Sequence, residues 1–163
     1  MPLVNDGLIY LGLDPGASGG IARLCGSTLN VTAMPKTEAD IWTWTKGSIL
    51  PIFAVLEANT GYVGGIGNPG SAMFKFGVNH GLLEMALVAA GIPYRKISPA
   101  VWQKGLGIPT RKKGKAGESK TQFKNRLKAR AQQLYPGAEV TLATADAILI
   151  ARYCQILCRS EAV

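Results

Sequence analysis

The fold is decided by the stretch LIYLGLD, residues 8–14, an apolar run that ends on the acid Asp14 and is followed by a Pro-Gly pair. An apolar run of this length before a turn signal predicts a strand. Two further strands are predicted at residues 21–25 and 28–34, because a tight Gly-Ser turn separates two short strand-like runs. Together the three strands predict an antiparallel meander at the start of the sheet.

Further along the chain, apolar periodicity and turn signals predict two more strands and five helices. The strands are residues 52–57 and 92–97, and the helices are residues 38–45 after the capping Thr37, 71–90, a short one after Ser98-Pro99, 118–134 and 145–157. This order predicts an α/β fold with a mixed five-stranded sheet flanked by helices on both faces. A chain of 163 residues is too short for two ordinary domains, so residues 1–163 are predicted to form a single domain.

The helix at residues 71–90 is apolar on nearly every side. This composition predicts that the helix is largely buried. Gly77 and Gly81 lie four residues apart on it and would let another backbone approach closely.

Basic residues outnumber acidic ones in this chain, and they are concentrated in one stretch of the sequence. The formal net charge is +8, and the sequence pI is about 9.6. Twelve of the 18 Lys and Arg residues lie between Arg95 and Arg130, where Glu118 is the only acid. A basic stretch of this density favours a polyanionic partner such as DNA or RNA, whereas the alternative is a solvated face that keeps the protein in solution.

Other features of the sequence bear on the compartment. The longest apolar runs contain charges or are too short to span a bilayer, and no signal peptide is evident at the N-terminus, so no membrane association is expected. The cysteines Cys25, Cys154 and Cys158 form no CxxC pair, which suits a reducing cytosol. We therefore expect a cytoplasmic protein, either in a bacterial cytosol or in a phage-infected host.

Three of the ten carboxylates stand in apolar surroundings. Asp14 and Glu57 end the first and fourth predicted strands, and Asp146 lies in the first turn of the last helix. A carboxylate removed from water is costly unless it is paired or bound to a metal, and no Lys or Arg is adjacent to these three in sequence. If the first and fourth strands are neighbours, Asp14 and Glu57 end side by side and repel each other unless a cation holds both.

Ligands that are all oxygen atoms favour Mg²⁺ or Mn²⁺ over zinc. Beside a basic surface, such a site suggests phosphodiester hydrolysis, in which two ions about 4 Å apart would activate a water and stabilise the leaving oxygen. Each acid also has an ordinary alternative. Asp14 could simply be a turn residue, and Asp146 could only complement the helix dipole.

Five segments in chain order carry the pattern of a known family. They are LGLDPGASG (residues 11–19), VLE (55–57), SAMFKFGVNHG (71–81), IPYRKISPAVW (92–102) and ADAILIA (145–151). These segments resemble RuvC-type Holliday junction resolvases, most closely the phage-like branch. The resemblance covers nearly the whole chain. It implies an RNase H-like fold with three antiparallel strands followed by two parallel ones, a homodimer, and Mg²⁺-dependent paired nicking of four-way DNA junctions.

The resemblance also implies roles for individual residues. Asp14, Glu57 and Asp146 would be the catalytic acids that hold one or two Mg²⁺ ions per subunit, with Mn²⁺ as a substitute. Lys120 resembles a family lysine near the scissile phosphate, although a generic phosphate contact is the alternative. Tyr62 is the first aromatic residue on the loop where the family carries a wedge, so it would stack on a base unless it is a packing tyrosine. The other residues expected to hold the DNA backbone are Lys104, Arg111, Lys112, Lys113, Lys115 and Lys124.

One position departs from the family pattern. The family has a fourth acid, or a histidine, three or four residues before its last aspartate, where this chain has Ala143 and Leu142. A second ion would therefore have one ligand fewer. The Thr144 hydroxyl could contribute, but capping of the last helix is its expected use.

The function predicted from the sequence is a structure-selective endonuclease that acts on branched DNA as a homodimer, without a small-molecule cofactor. One alternative is a catalytically weak branched-DNA-binding protein of the same fold. Another is a nuclease of this fold that acts on a different nucleic acid, such as RNA or an RNA–DNA hybrid. A third is an ATPase lobe of the sugar-kinase or actin type, although such proteins close two lobes over the nucleotide and this chain is short for that.

Overall fold

The computed structural model describes residues 7–58, 70–111 and 117–161. Its strands and helices follow the predicted order closely. The strands are β1 (Ile9–Asp14), β2 (Gly20–Cys25), β3 (Thr28–Ala33), β4 (Phe53–Glu57) and β5 (Tyr94–Ile97). The helices are α1 (Glu38–Lys46), α2 (Gly70–Ala90), α3 (Pro99–Gly105), α4 (Lys120–Leu134) and α5 (Ala145–Glu161).

The five strands form one sheet in the order β3-β2-β1-β4-β5. The first three strands pair antiparallel, whereas β4 runs parallel to β1 and β5 runs parallel to β4. The predicted sheet is therefore confirmed. Leu13 pairs with Leu56 across β1 and β4, so the next residue on each strand, Asp14 and Glu57, lies at the same edge of the sheet.

Side chains alternate between two cores because successive residues of a strand point to opposite faces. On one face Tyr10 and Val55 pack with residues of α3, α4 and α5. On the other face Leu11 and Leu56 pack with residues of α1 and α2. Helices therefore cover both faces of the sheet, as predicted.

Helix α5 lies directly on the central strand β1 at Gly12. A Cβ atom on Gly12 would lie 2.2 Å from the backbone nitrogen of Ala151 and 2.3 Å from the carbonyl oxygen of Ala147. Only a glycine leaves room for so close a contact between helix and strand backbones. This contact brings the first turn of α5, which carries Asp146, close to the end of β1, which carries Asp14.

The prediction that α2 is largely buried is wrong. Leu83 and Leu87 pack in the core, but Phe74 is 73% exposed and Met85 is 60% exposed. Within the described part of the chain, nothing comes within 4 Å of a Cβ atom placed on Gly77 or Gly81. The sequence pattern predicted an apolar helix but did not tell whether this chain covers it. Among the helices described, none has the length and apolar character that a bilayer span requires.

Candidate metal and nucleic-acid site

Asp14 is the last residue of the buried strand β1 and is only 8% exposed. The backbone N–H of Gly16 donates a hydrogen bond to Asp14 Oδ1 at 3.2 Å, which closes a turn directly after the strand. Gly19 passes over the carboxylate so closely that a Cβ atom there would lie 2.7 Å from Asp14 Cγ. Gly16 and Gly19 therefore confine the Asp14 side chain.

Glu57 ends β4 beside Asp14 and is held by a tryptophan. The indole Nε1 of Trp102 donates a hydrogen bond to Glu57 Oε2 at 2.8 Å. Trp102 itself is fully buried on α3. Sequence reasoning placed Trp102 on this short helix but gave it no role in the site. One feature could have indicated this role, because a buried tryptophan requires a hydrogen-bond acceptor for its indole N–H.

Asp146 lies in the first turn of α5 and is 6% exposed. The Lys124 ammonium of α4 donates a hydrogen bond to Asp146 Oδ2. The other oxygen, Oδ1, is buried and has no hydrogen-bond partner within the described ranges. This basic partner could not be found among the sequence neighbours of Asp146, which are Ala145 and Ala147. Lys124, expected only to hold the DNA backbone, lies 22 residues away in sequence but next to Asp146 in the fold.

The three carboxylates act on one another electrostatically. Burial, followed by the charge of Asp14, raises the pKa of Glu57 from 4.5 to about 8, although the Trp102 hydrogen bond opposes the shift. Burial and the charge of Asp146 likewise raise the pKa of Asp14, against the Gly16 N–H and Lys124. Burial lowers the pKa of Lys124, but the attraction of the three acids outweighs it and leaves that pKa raised. The cluster thus carries more negative charge than its surroundings stabilise.

The cluster has the donors that a hard cation prefers, but they do not converge on a single point. Across residues 7–58, 70–111 and 117–161, no three His, Cys, Asp or Glu side chains are grouped closely enough to form a ready-made metal site. Lys124 holds one Asp146 oxygen and Trp102 holds one Glu57 oxygen. The buried Asp146 Oδ1 without a partner in the described ranges, together with a ligand set made only of oxygen atoms, is compatible with Mg²⁺ or Mn²⁺.

An open cavity of about 400 Å³ lies beside Lys124, the partner of Asp146. Lys120 and Lys124 of α4 line it together with Ser18 of the turn after β1. Leu142 and Ala143, the positions where the family carries a fourth acid, also line the cavity. The Thr144 hydroxyl oxygen accepts a hydrogen bond from the Thr141 backbone N–H at 3.0 Å, so it stabilises the turn that precedes α5.

The remaining predicted DNA contacts are only partly covered by the structure. Lys104 is exposed near the end of α3, the helix that holds Glu57 through Trp102. Arg111 is half-buried. The hydrogen bond from Arg126 lowers the pKa of Glu118, and the charge of Arg111 contributes to the same shift to a smaller extent. Four predicted contact residues lie outside the described residues, namely Tyr62, Lys112, Lys113 and Lys115.

Comparison with known proteins bears on the fold. No protein-family model and no curated protein matches this sequence. The structure of Thermus thermophilus RuvC in complex with Holliday junction substrate matches with a TM-score of 0.61 at 16% identity, over 94% of this chain and 96% of that chain. Another Thermus thermophilus RuvC structure matches with a TM-score of 0.58 at 17% identity, over 94% of this chain and 97% of that one. The chain therefore has the RNase H-like fold of RuvC, which confirms the fold predicted from the sequence resemblance.

Proposed function

We propose that this protein is a metal-dependent endonuclease that resolves four-way DNA junctions. The observation that carries the proposal is the meeting of Asp14, Glu57 and Asp146 at one edge of the sheet in a protein of net charge +8. Three mutually repelling carboxylates are a poor surface for DNA unless a cation lies between them and the phosphate. The shared fold supports the choice of substrate, because one of the matching RuvC structures contains a Holliday junction substrate.

Asp14, Glu57 and Asp146 are the residues that would hold Mg²⁺ or Mn²⁺. When bound, the ion would supply Lewis-acid stabilisation of the charge that builds up during phosphodiester hydrolysis. The protein fixes two of these ligands beforehand. The Gly16 N–H orients Asp14, and the Trp102 indole orients Glu57, so little side-chain freedom remains to be lost on binding.

Two lysines of α4, Lys120 and Lys124, line the cavity in which a phosphate would bind. Lys120 is the first residue of the helix, which begins with a capping box between Ser119 and Gln122. Both the ammonium charge and the positive end of the helix attract an anion at that place. From the cavity wall both lysines would stabilise negative charge on the phosphoryl oxygens.

A second copy of the chain is the proposed occupant of the uncovered face of α2. Phe74, Val78, Met85 and Val88 are exposed and repeat at helical spacing, so they form one apolar stripe. Gly77 and Gly81 lie on the same stripe, with nothing within 4 Å of either in the described chain. Small residues at the centre of such a stripe let two helices pack closely, and a two-fold dimer would present two sites for symmetric cuts.

The dimer is tested by analytical ultracentrifugation of the wild type and of Val78→Glu. The wild type is expected to sediment as a dimer and the variant as a monomer, because the new charge would be buried in the interface. Ile49→Glu is the matched control, since Ile49 is 65% exposed outside α2 and should leave the dimer intact. A monomeric wild type, or a dimer that survives Val78→Glu, would refute this interface.

The choice of substrate is tested with a panel of labelled nucleic acids in Mg²⁺ or Mn²⁺. Four-way DNA junctions are expected to be nicked faster than duplex DNA, single strands or RNA–DNA hybrids. Faster cleavage of the hybrid would favour a nuclease of this fold with a different substrate. Tight junction binding without any nicking would favour a branched-DNA-binding protein instead.

A further inference from the structure

We propose that the Lys124 ammonium is a fixed cation of this site, so that the three carboxylates of the DNA-free protein bind one divalent ion and not two. The inference rests on the metal site proposed above and specifies how that site is built. Its starting observation is the contact between Lys124 Nζ and Asp146 Oδ2, which joins α4 to α5.

Lys124 is placed to serve the whole cluster. Of the basic side chains that the structure describes, it is the one whose charge acts on Asp14, Glu57 and Asp146 together. Its side chain is 37% exposed and that of Asp146 is 9% exposed, so the pair lies between the interior and the cavity. Such a position shields the contact from solvent more than a surface ion pair would be shielded.

The balance of charge favours a single divalent ion. When ionised, the three carboxylates carry three negative charges, and the Lys124 ammonium neutralises one of them. In the DNA-free protein, one divalent ion cancels the remaining two charges, whereas two divalent ions would leave the cluster with an excess of positive charge. The first ion would also repel a second one across a short distance at a partly buried site.

The carboxylate oxygens that remain without a partner also favour a single ion. Asp146 accepts the Lys124 hydrogen bond at Oδ2 and leaves Oδ1 buried without a partner in the described ranges, so Oδ1 is the atom of this residue that would hold an ion. The turn before α5 brings Leu142 and Ala143 to the cavity wall, and neither side chain can ligate a metal. The residues that line this cavity thus include no carboxylate for a second ion.

The test counts bound Mn²⁺ in the DNA-free protein by electron paramagnetic resonance and isothermal titration calorimetry. The wild type is expected to bind one Mn²⁺ per chain. Lys124→Met removes the charge, so the first Mn²⁺ should bind at least about tenfold more tightly and a second should become detectable. Lys128→Met, one turn further along α4, is the matched control and should behave as the wild type. Lys124→Arg, which keeps the charge, should still bind one ion.

Each outcome has a definite reading. Two Mn²⁺ ions in the wild type would overturn the inference about Lys124 but leave the proposed function standing. Unchanged Mn²⁺ binding in Lys124→Met would do the same. If that variant does not fold, the wild-type count decides alone. Failure of both proteins to bind Mn²⁺ would overturn the inference and the proposed metal site together, whereas one bound ion without junction cleavage would overturn only the proposed function.

Discussion

The metal-free protein is expected to lose stability as the pH rises from 5 to 8, because of Glu57. Its pKa is about 8 in the folded protein, against an ordinary value of 4.5, since burial and Asp14 disfavour the charged form. Between these two values the unfolded chain has released the proton while the folded chain keeps it. The folded state therefore binds more protons, and its stability must fall with rising pH in this window.

The magnitude follows from the same two values. Stability changes by at most about 1.4 kcal/mol per pH unit for one proton, which over the range from 4.5 to about 8 sets a limit of about 5 kcal/mol. Because Glu57 is only partly buried, we expect about half of that limit, or about 2–3 kcal/mol. Glu57→Gln cannot ionise, so it should remove this loss and be more stable than the wild type at pH 8 by about the same amount.

The assay is urea unfolding in the presence of EDTA at pH 5, 6, 7 and 8 for the wild type and Glu57→Gln. Glu139→Gln, at an exposed carboxyl outside the cluster, is the control and should keep the wild-type pH dependence. Saturating Mg²⁺ should flatten the wild-type profile, because an ion that binds the ionised site stabilises the folded state most at high pH. Parallel pH profiles for the wild type and Glu57→Gln would refute the reasoning.

Three further predictions test how the site is held and how it meets DNA. Trp102→Phe keeps the apolar packing but removes the donor to Glu57, so the Mn²⁺ affinity measured by calorimetry should fall about three- to tenfold, and an unchanged affinity would contradict this role. Gly12→Ala should lower the free energy of unfolding in urea by about 2 kcal/mol or more, because α5 cannot stay in contact with β1, whereas Gly137→Ala has open space and should cost far less. Replacing the three lysines of residues 112–115 by glutamine should weaken junction binding and lower the slope of its salt dependence by up to about 3, and an unchanged slope would mean that these residues do not touch DNA.

The sequence predicted the framework of the site because that framework is local. Asp14 and Glu57 each end an apolar strand, and the alternation of apolar residues with turn signals is enough to place such strand ends. The prediction that Asp14 and Glu57 end side by side held only if these two strands were neighbours in the sheet. The parallel pairing of Leu13 with Leu56 shows that they are.

The contacts that complete the site could not be predicted, because they join distant parts of the chain. Trp102 lies 45 residues from Glu57, and Lys124 lies 22 residues from Asp146. Neither pairing leaves a periodic signal in the sequence. The wrong prediction for α2 has a related cause, since the apolar character of a helix does not tell whether other parts of the same chain pack against it.

The most direct test of the central claim is the fate of a supercoiled plasmid that carries an extruded cruciform, incubated with the protein and Mg²⁺. Paired cuts across the junction convert the plasmid to linear DNA, whereas unpaired cuts leave nicked circles. The wild type is expected to give linear product. Asp14→Asn should give none while binding a junction at least as tightly, because it loses a metal ligand but also a negative charge near the phosphates. Junction binding without linear product from the wild type, or linear product that persists in Asp14→Asn, would contradict the proposal that these carboxylates form the centre of a junction resolvase.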